Sequence, residues 1–494
     1  MLRNINGIQC FPLHSSLPSS EQKKVFARLP KGRRKVVVAT NIAETSITID
    51  DAVAVIDTGR VKEMIFDSQT NTARLIEVWT SKASCKQRRG RAGRVRAGKC
   101  YKLYSRHLEA NTMRDRTEPE ILRLPLEQLC LSVKIMGIDD VFHFFRNALT
   151  RPDTSAIEDA LKALHQVGAL KDNKLTALGR HIAFIPADIR CGKLLIYGAT
   201  FGCLEACLTM AAILTSKCPF LNSGDHREEA RAARLSFAKA KGDILGDLCA
   251  FETWQKKKLD GTPGSVINSW CKSNFLSQST LEDIASNKSY YLSSLIEARW
   301  VPTDYGCSAA GNSSLNRFSS SYNLLRALLA AALNPQIARI CLPEKKFAAG
   351  IAGSIEMDPE ARKIKYFDRY GDRVFLHPGS TLFDAQGHGN ASFISFWTKM
   401  QTSKCFVRDV TPVNAYSLLL FCGNISYDES GKGLIVDDWW KLRGWMRIGV
   451  LVSKLRMILD DLLDRKVNDP TLDISSDDAV TLSRKLIELN GLDN

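Results

Sequence analysis

The sequence predicts a multidomain protein in which an α/β domain is followed by a mainly helical region and then by a small β-barrel. Three observations support this order. Short apolar runs alternate with helical stretches over residues 1–110, apolar residues recur at helical spacing over 109–300, and short strands with Gly and Pro turns follow residue 335. A length of 494 residues with 45% hydrophobic and 24% charged residues suits about three globular domains.

Four apolar runs define the α/β domain. Residues 35–40 and 52–57 are typical of strands buried on both faces of a parallel sheet. Residues 61–67 and 74–79 flank the polar segment 68–72. This pattern predicts a β-hairpin that protrudes from the domain.

The next region predicts helices and a small wing. Ser155 and Glu158 are spaced as a capping box in front of apolar residues at helical spacing. Residues 169–176 predict a hairpin with Asp-Asn at its turn, and helices followed by a wing suggest a winged-helix module. Residues 204–214 are apolar on nearly every face, as in a helix buried in a bundle, and Gly261–Gly264 predicts a loop between helices.

The last third predicts strands and then a helix. Five short strands with Gly and Pro turns fit a small β-barrel such as an OB-fold. They are expected at 337–342, 363–368, 373–377, 391–399 and 405–413. Residues 439–463 are expected to be an aromatic-rich amphipathic helical region.

The net charge of +15 is concentrated near the start of the chain. Residues 1–110 contain 21 Lys or Arg and 9 Asp or Glu, an excess of 12 positive charges. A basic surface on one domain suggests a polyanionic partner, with nucleic acid as the default. Charge alone leaves a nucleotide, an acidic protein or a membrane surface open.

Two further features of the sequence concern cellular location and the state of the cysteines. No apolar stretch approaches the roughly 18 residues of a membrane helix, and the first residues are not a signal peptide. The 14 cysteines are scattered without a C-x-x-C pair, so we expect reduced thiols and neither a disulfide framework nor a zinc site. We therefore expect a soluble cytoplasmic protein without a membrane partner or a resident metal site, with a nuclear location left open.

The densest chemistry lies in Gln87–Arg94, where four arginines are spaced by two glycines. The surrounding stretch 82–102 holds nine Lys or Arg and no Asp or Glu. Arginine forks suit phosphate oxygens, and glycines allow the tight turns that bring them close to a polyanion. At a domain edge such a segment can neutralise charge on a transferring phosphoryl group, although basic runs are more often solvated loops or localisation tracts.

A second segment decides between those alternatives. Residues 40–50, rich in hydroxyl and amide side chains, directly follow a predicted strand, where ligands bind in α/β folds. Together with Gln87–Arg94, this segment resembles motifs V and VI of superfamily 2 RNA helicases of the DEAH/RNA helicase A type. The resemblance covers essentially the whole chain. Further matching stretches are 13–17, 82–84, 98–104, 119–123, 175–179, 377–378 and 402–404.

The resemblance implies an ordered series of domains. The expected ranges are a second RecA-like domain at 1–108, a winged-helix at 109–186, a ratchet-like helical bundle at 187–320, an OB-fold at 321–430 and a C-terminal helical extension at 431–494.

The resemblance also implies a nucleotide site for ATP and Mg²⁺. Arg91 and Arg94 would contact the γ-phosphate, with Arg94 as the arginine finger and Gln87 positioning it. The magnesium would be held mainly by a first RecA-like domain.

Four other residues would contact the rest of the nucleotide. Phe26 would stack on the adenine and Asp50 would bond the ribose, while Ser46 and Thr48 would sense the nucleotide. Phe26 has the alternative of a core position, and Asp50 that of capping a turn.

RNA is the expected partner. Thr40, Asn41 and Ser15 would hold RNA phosphates, and the hairpin at 61–79 would lie across the path of the strand and help to separate duplexes. The variant of the motif at 13–17 resembles that of members associated with ribosomes and structured RNA, so a ribosome or another ribonucleoprotein is a further candidate. No oligomer is expected.

The sequence contains neither a P-loop with a magnesium-binding Ser or Thr nor Asp-Glu-x-His after one. Both are needed for hydrolysis, so we expect no ATPase activity from this chain alone. Three interpretations stay open: the C-terminal part of an ATP-dependent RNA helicase, a short protein that binds RNA without catalysis, or a regulator that pairs with a separate ATPase.

Overall fold

The structure is a computed structural model, and its chain divides into two compact units that we describe separately. The first comprises residues 1–67 and 73–124, and the second comprises 68–72 and 125–494. The structure describes residues 7–13, 24–30, 32–45, 49–67, 72–93, 97–123, 125–221, 226–239, 241–305, 314–343, 346–350, 353–357, 363–385, 387–389, 391–402, 404–423, 425–427, 433–437, 439–443, 446–474 and 477–489. The five domain boundaries expected from the sequence stay predictions.

The first unit alternates strands and helices, as predicted. Its elements are β1 (Ile8–Leu13), β2 (Arg34–Ala39), α1 (Ile42–Thr45), β3 (Ala54–Asp57), β4 (Arg60–Asp67), β5 (Thr72–Trp79), α2 (Lys82–Arg89), β6 (Lys99–Lys102) and α3 (Arg106–Asn111). β1 pairs with β2 and β3 pairs with β6, both in parallel. β4 and β5 are hydrogen-bonded neighbours, which confirms the predicted hairpin.

One prediction about these strands is wrong. Residues 35–40 and 52–57 were expected to be buried on both faces, but Val38 on β2 is 58% exposed and Ile56 on β3 is 69% exposed. The physical reason is that β2 and β3 belong to separate two-stranded sheets. Within the described part of this unit, no layer covers the faces that carry these two side chains.

The second unit begins with helices. They are α4 (Glu127–Ile135), α5 (Val141–Arg146), α6 (Thr154–Val167), α7 (Ala177–Phe184), α8 (Ile189–Thr200), α9 (Leu204–Thr215), α10 (Arg227–Ala238), α11 (Asp243–Leu259), α12 (Gly264–Ser273), α13 (Gln278–Glu297) and α14 (Tyr322–Leu333). Between α6 and α7, β7 (Leu170–Lys171) pairs with β8 (Lys174–Leu175). Asp172 and Asn173 form the turn with φ of +49° and +61°, as an Asp-Asn hairpin turn requires.

Two helical predictions are confirmed and one is wrong. α9 is buried along nearly its whole length, and 260–263 connects α11 to α12 as the Gly-rich loop predicted. The predicted capping box does not form, because α6 begins at Thr154 with Asp153 in the N-cap position and without a side-chain capping hydrogen bond. The helix therefore starts one residue before Ser155, which lies inside the first turn.

Five strands of the second unit close into the predicted barrel. They are β9 (Ile337–Cys341), β12 (Lys365–Asp368), β13 (Arg373–Leu376), β14 (Phe393–Gln401) and β15 (Cys405–Val413). The circuit runs β9–β12–β13–β15–β14–β9, with β13 and β15 parallel and the other pairs antiparallel. Its core includes Val374, Leu376, Ile394, Val407 and Val410. A separate hairpin is formed by β10 (Lys346–Gly350) and β11 (Gly353–Met357).

The end of the chain confirms most of one prediction and corrects its beginning. Residues 439–463 were expected to be helical, and Met446–Asn468 is a helix. The residues before it are not helical, because α15 (Ala415–Phe421) is followed by a three-stranded sheet. Its strands are β16 (Ile425–Tyr427), β17 (Gly433–Val436) and β18 (Trp440–Arg443), and the helices α16 (Met446–Asn468) and α17 (Asp478–Leu489) come after it. Trp440 is 4% exposed and packs edge-on against Phe393 with ring centroids 4.4 Å apart, so its burial favours a strand here.

Thirteen cysteines fall among the described residues, and all are free thiols. None of the described helices is both long and apolar enough to cross a membrane.

Candidate functional site

The arginine segment consists of a helix and the tight loop that follows it. Ser81 caps α2, since its hydroxyl accepts a hydrogen bond from the Ser84 amide at 3.1 Å. Beyond the helix, Gly93 adopts φ of +106°, a conformation that favours glycine. A Cβ on Gly98 would lie 2.8 Å from the Ala92 Cβ, so this glycine permits the chain to return past the loop. The glycines thus fold the segment tightly, as their spacing predicts.

Arg88 connects this helix to the hydroxyl-rich segment. Its Nε donates to Glu44 Oε2 at 3.0 Å, and its Nη1 donates to Asp57 Oδ1 at 3.1 Å. The Arg60 carbonyl and the Thr80 hydroxyl accept further hydrogen bonds at 3.1 and 3.3 Å. One guanidinium therefore joins α1, the end of β3 and the base of the hairpin.

This group is buried and charged. The side chains of Arg88, Glu44 and Asp57 are 15%, 12% and 1% exposed. Burial alone lowers the pKa of Arg88, but hydrogen bonds and charge attraction from the two carboxylates outweigh it and raise that pKa. Arg88 is therefore a fixed cation with four of its five N–H donors used within the fold. We infer that it has a structural role and does not serve as the arginine finger.

Asp57 receives two further hydrogen bonds. The Gly59 amide donates to it at 2.9 Å and the Tyr104 hydroxyl at 3.3 Å. The pKa of Tyr104 is raised by burial, by its interaction with Cys85 and by the Asp57 charge, which keeps the phenol a donor. A buried carboxylate with this many partners fixes the end of β3 against α2.

The predicted catalytic residues lie beside Arg88. Gln87 is exposed on α2, and Arg91 is half-buried in the loop after the helix. Backbone hydrogen bonds from the Arg91 amide to the Arg88 carbonyl (3.0 Å) and from the Gly90 amide to the Lys86 carbonyl (3.0 Å) hold this loop. Arg94 lies outside the described residues.

The predicted RNA-contacting residues follow β2. Thr40 and Asn41 have exposed side chains, and their carbonyls accept hydrogen bonds from the Ala43 and Glu44 amides at 3.3 and 2.9 Å. The backbone here is fixed as the start of α1, which leaves the hydroxyl and the amide free to face a ligand. Ser15, Ser46 and Thr48 lie outside the described residues.

Phe26 and Asp50 are also at the surface. Phe26 is 52% exposed while its neighbour Val25 is 1% exposed, so Val25 occupies the core position and Phe26 does not. Asp50 is exposed within a turn closed by a 3.2 Å hydrogen bond from the Ala52 amide to the Ile49 carbonyl. Both side chains are accessible to a ligand.

Sequence reasoning missed Arg88, Glu44 and Asp57 as a unit. The signals were weak but present, since Glu44 is an acid within a hydroxyl-rich segment and Asp57 ends an apolar strand. A carboxylate in either place needs a cation once it is buried. Among the described residues, no group of three or more His, Cys, Asp or Glu could hold a metal ion.

Comparison with protein families finds a series of helicase domains along the chain. The models that match are the helicase conserved C-terminal domain (residues 1–96), the winged-helix (160–187) and ratchet-like (188–250) parts of the helicase-associated domain, an oligonucleotide/oligosaccharide-binding fold (325–425) and the C-terminal domain in RNA helicases (432–488). The predicted order of α/β, winged-helix, helical and OB-fold modules is confirmed.

Curated relatives match nearly the whole chain. A putative DEAH-box ATP-dependent helicase of Mycosarcoma maydis is 42% identical over 95% of this chain and 31% of its own length. A putative ATP-dependent RNA helicase of Saccharomyces cerevisiae is 39% identical over 93% of this chain and 36% of its own. The human ATP-dependent DNA/RNA helicase DHX36 is 36% identical over 93% of this chain and 44% of its own. The chain therefore spans 31% to 44% of the length of these relatives.

Proposed function

Because this chain is homologous to the C-terminal part of DEAH-box ATP-dependent RNA helicases, we propose that it forms that part of an ATP-dependent RNA helicase. In this role it supplies one side of the nucleotide site together with surfaces that bind RNA. The whole protein would couple ATP hydrolysis to movement along RNA and to unwinding or remodelling. A cytoplasmic location, with a nuclear one open, is part of the proposal.

The observation that carries the proposal is the Arg88 ion-pair group. It binds Glu44 and Asp57 at 3.0 and 3.1 Å and so fixes the hydroxyl-rich segment to the arginine segment. Gln87 and Arg91 lie on either side of Arg88 with one exposed and one half-buried side chain. A rigid support beneath the donors is what preorganised stabilisation of a phosphoryl group needs.

The residues present suit a nucleotide polyphosphate. Amide and guanidinium groups donate to phosphate oxygens, and an exposed aromatic ring such as Phe26 offers a stacking surface for a base. Arg94 would act as the finger, and Asp50, Ser46 and Thr48 would contact the ribose side. Mg²⁺ would take its ligands from ATP and from protein outside this chain, and when bound it would neutralise phosphate charge.

RNA would contact other residues of the same unit. Thr40, Asn41 and Ser15 would donate to phosphate oxygens, and the β4–β5 hairpin would meet the strand. A ribosome or another ribonucleoprotein is the proposed setting.

The test is Arg94→Ala in the full-length protein, with Arg89→Ala as the matched control. Arg89 is an exposed arginine of the same segment. We expect Arg94→Ala to reduce RNA-stimulated ATP hydrolysis by about 10³-fold or more, the usual worth of an arginine finger, while RNA affinity changes little. Arg89→Ala should retain most of the hydrolysis.

Three results would count against parts of the proposal. Survival of hydrolysis in Arg94→Ala would show that the finger assignment is wrong. Full-length protein that binds RNA without any ATPase activity would favour a non-catalytic RNA-binding protein. Absence of RNA binding by the 494-residue chain at low salt would contradict its role as an RNA-binding part, since phosphate contacts strengthen as salt falls.

A further inference from the structure

The helix α16 has a buried inner face and an outer face that combines apolar with acidic side chains. On the inner face, Val452, Leu455, Leu459 and Leu462 are each at most 9% exposed. The outer side chains recur at the i, i+3, i+4 and i+7 spacing of one side of a helix. We call this surface the acidic–apolar face; its residues are Val450, Leu451, Met457, Ile458, Asp460, Asp461 and Asp464.

The apolar residues of this face are open to solvent. Met457 and Leu451 are 71% and 67% exposed, and Ile458 and Val450 are 53% and 39% exposed. Val450 and Leu451 precede Met457 and Ile458 by seven residues, so the two pairs lie two turns apart on the same side of α16. Single exposed apolar residues are ordinary, whereas several on one helical face form a patch that favours a partner.

Carboxylates continue the face toward the end of α16. Asp460 and Asp461 follow Met457 at i+3 and i+4, and their side chains are 62% and 71% exposed. Asp464 is exposed one turn after Asp460, and like charges at this spacing repel each other. Residues 460–478 contain seven Asp and two Lys or Arg, although the chain as a whole carries a net charge of +15. The local charge is therefore opposite in sign to that of the molecule.

The two cations of this segment do not remove its negative charge. Arg465 pairs with Asp461 at 3.1 Å. Lys466 is 8% exposed, and its ammonium donates to the Pro470 and Leu472 carbonyls at 2.6 Å each, so it faces inward. The potential of this end of α16 therefore favours a cationic partner.

We propose that the acidic–apolar face docks a basic amphipathic helix of a partner protein, which places apolar side chains on the four apolar residues and Lys or Arg opposite the three carboxylates. Amphipathic helices are recognised through apolar residues at i, i+3, i+4 and i+7, the spacing that this face presents. Nucleic acid and an anionic membrane are both negatively charged, so the carboxylates would repel them. A second copy of the chain is a poorer occupant, because its own 460–478 segment has the same net negative charge.

The test is a binding titration of the 494-residue chain without RNA or ATP, so its outcome does not depend on the proposed function. The probe is a labelled peptide of about 18 residues, five helical turns, with Leu on one face and Lys on the other. Two further probes separate the contributions to binding. A peptide of the same composition in scrambled order has no apolar face, and polylysine of the same length has charge alone.

Two kinds of variant address the two parts of the face. Leu451→Gln and Met457→Gln keep side-chain length but remove apolar surface. The double variant Asp461→Asn with Asp464→Asn removes two negative charges. All these side chains are exposed, so the midpoint of urea unfolding should match that of the parent chain.

Matched controls lie on helices remote in sequence. Leu259→Gln changes an 80% exposed leucine at the end of α11. The double variant Glu282→Gln with Asp283→Asn removes two exposed charges from α13. Both controls should bind every probe like the parent chain.

The parent chain should bind the amphipathic peptide more tightly than the scrambled peptide or polylysine. Leu451→Gln and Met457→Gln should each weaken the amphipathic peptide by about 5-fold or more, because apolar burial is lost, and leave polylysine unchanged. The double aspartate variant should weaken both by about 3-fold or more, and added salt should reduce this difference.

Four outcomes would overturn the inference. Equal binding of the amphipathic peptide by the parent chain and the two Gln variants would place its site elsewhere, and absence of binding would remove the site altogether. Equal affinity for the scrambled peptide would show attraction by charge without a docked helix. Binding by the 494-residue chain but not by the full-length protein would show that the face is covered within that protein. A dimer of the parent chain in sedimentation that Met457→Gln dissociates would make a second copy the occupant.

Discussion

At the scale of single residues, neighbouring arginines of the segment Gln87–Arg94 differ in burial and therefore in function. Arg88 lies three residues after Cys85, which is 2% exposed, so both are on the inner face of α2. Arg89 and Gln87 lie on outer faces and are exposed. The sequence predicts the phosphate chemistry of the run but not this division, because the helix phase depends on where Ser81 caps α2. Once α2 is placed, the buried arginine follows from helical spacing.

Replacing Arg88 tests its structural role. Arg88→Gln should lower the free energy of unfolding of the first unit by about 3 kcal/mol, because it leaves the buried Asp57 carboxylate without its cation. Arg89→Gln, one residue further at an exposed position, should change stability by less than about 0.5 kcal/mol. Amide hydrogen exchange of the peptide spanning 54–60 measures the difference. Equal exchange in the two variants would show that the ion pair does not stabilise this unit.

At the scale of elements, the sequence predicts periodic segments well and context-dependent ones poorly. β15 forms over Cys405–Val413, the range predicted, and the Asp172-Asn173 turn closes its hairpin. Both carry strong local signals. β18 was predicted as helix because the tryptophans near 440 fit an amphipathic pattern, yet Trp440 is buried against Phe393, which is far away in sequence. Tertiary contacts of this kind override local pattern.

Asp243 shows how one residue fastens a helix to the barrel. It is the first residue of α11, is 1% exposed and accepts four hydrogen bonds. The donors are the Ser380 hydroxyl at 2.8 Å, the Thr381 amide and hydroxyl at 2.7 Å each, and the Val410 amide at 2.9 Å. Every donor comes from the barrel or its β13–β14 connection, so the carboxylate links two modules of the second unit.

Asp243→Asn should destabilise the second unit by about 2–4 kcal/mol. The amide keeps one acceptor oxygen and turns an NH₂ group toward donors that then lack an acceptor. The matched control is Asp384→Asn, since Asp384 is 64% exposed on its side chain and pairs with Arg231 at the surface; we expect a change of less than about 1 kcal/mol there. Urea titration followed by pulse proteolysis measures both. Similar midpoints for the two variants would contradict the anchoring role.

At the scale of the whole molecule, the order of modules can be read from the sequence but the contacts between modules cannot. The predicted series of α/β, winged-helix, helical and OB-fold modules follows from changes in periodicity and is confirmed. The sequence pattern does not predict long-range contacts such as those of His181. Its Nε2 lies 2.7 Å from the Val467 carbonyl, 286 residues away, and its Nδ1 accepts a hydrogen bond from Trp300 Nε1 at 3.1 Å. His181 lies on α7, Val467 lies on α16, and Trp300 follows the end of α13.

This junction requires a neutral imidazole, and that makes the second unit sensitive to acid. Nε2 donates to Val467, and Nδ1 must stay unprotonated to accept from Trp300. Burial lowers the pKa of His181 below 6.5; the Val467 carbonyl opposes this, and the nearby Arg180 charge adds to it. At any pH between the pKa of His181 in the folded chain and 6.5, the unfolded chain therefore binds more protons than the folded chain. Stability from this group is fully present above pH 6.5 and is lost as the pH falls through that window.

Comparison with His181→Gln isolates the effect, because the amide can still donate and accept but does not titrate. Between pH 7.5 and 5, the parent chain should lose more free energy of unfolding than His181→Gln, by about 1.4 kcal/mol for each pKa unit by which its folded and unfolded states differ. Trp300→Phe removes the N–H donor and should make the pH dependence shallower, since Nδ1 then meets no opposing donor when it is protonated. Urea unfolding at each pH measures all three chains. Parallel pH curves for the parent and His181→Gln would show that protonation of His181 is not coupled to the joining of these modules.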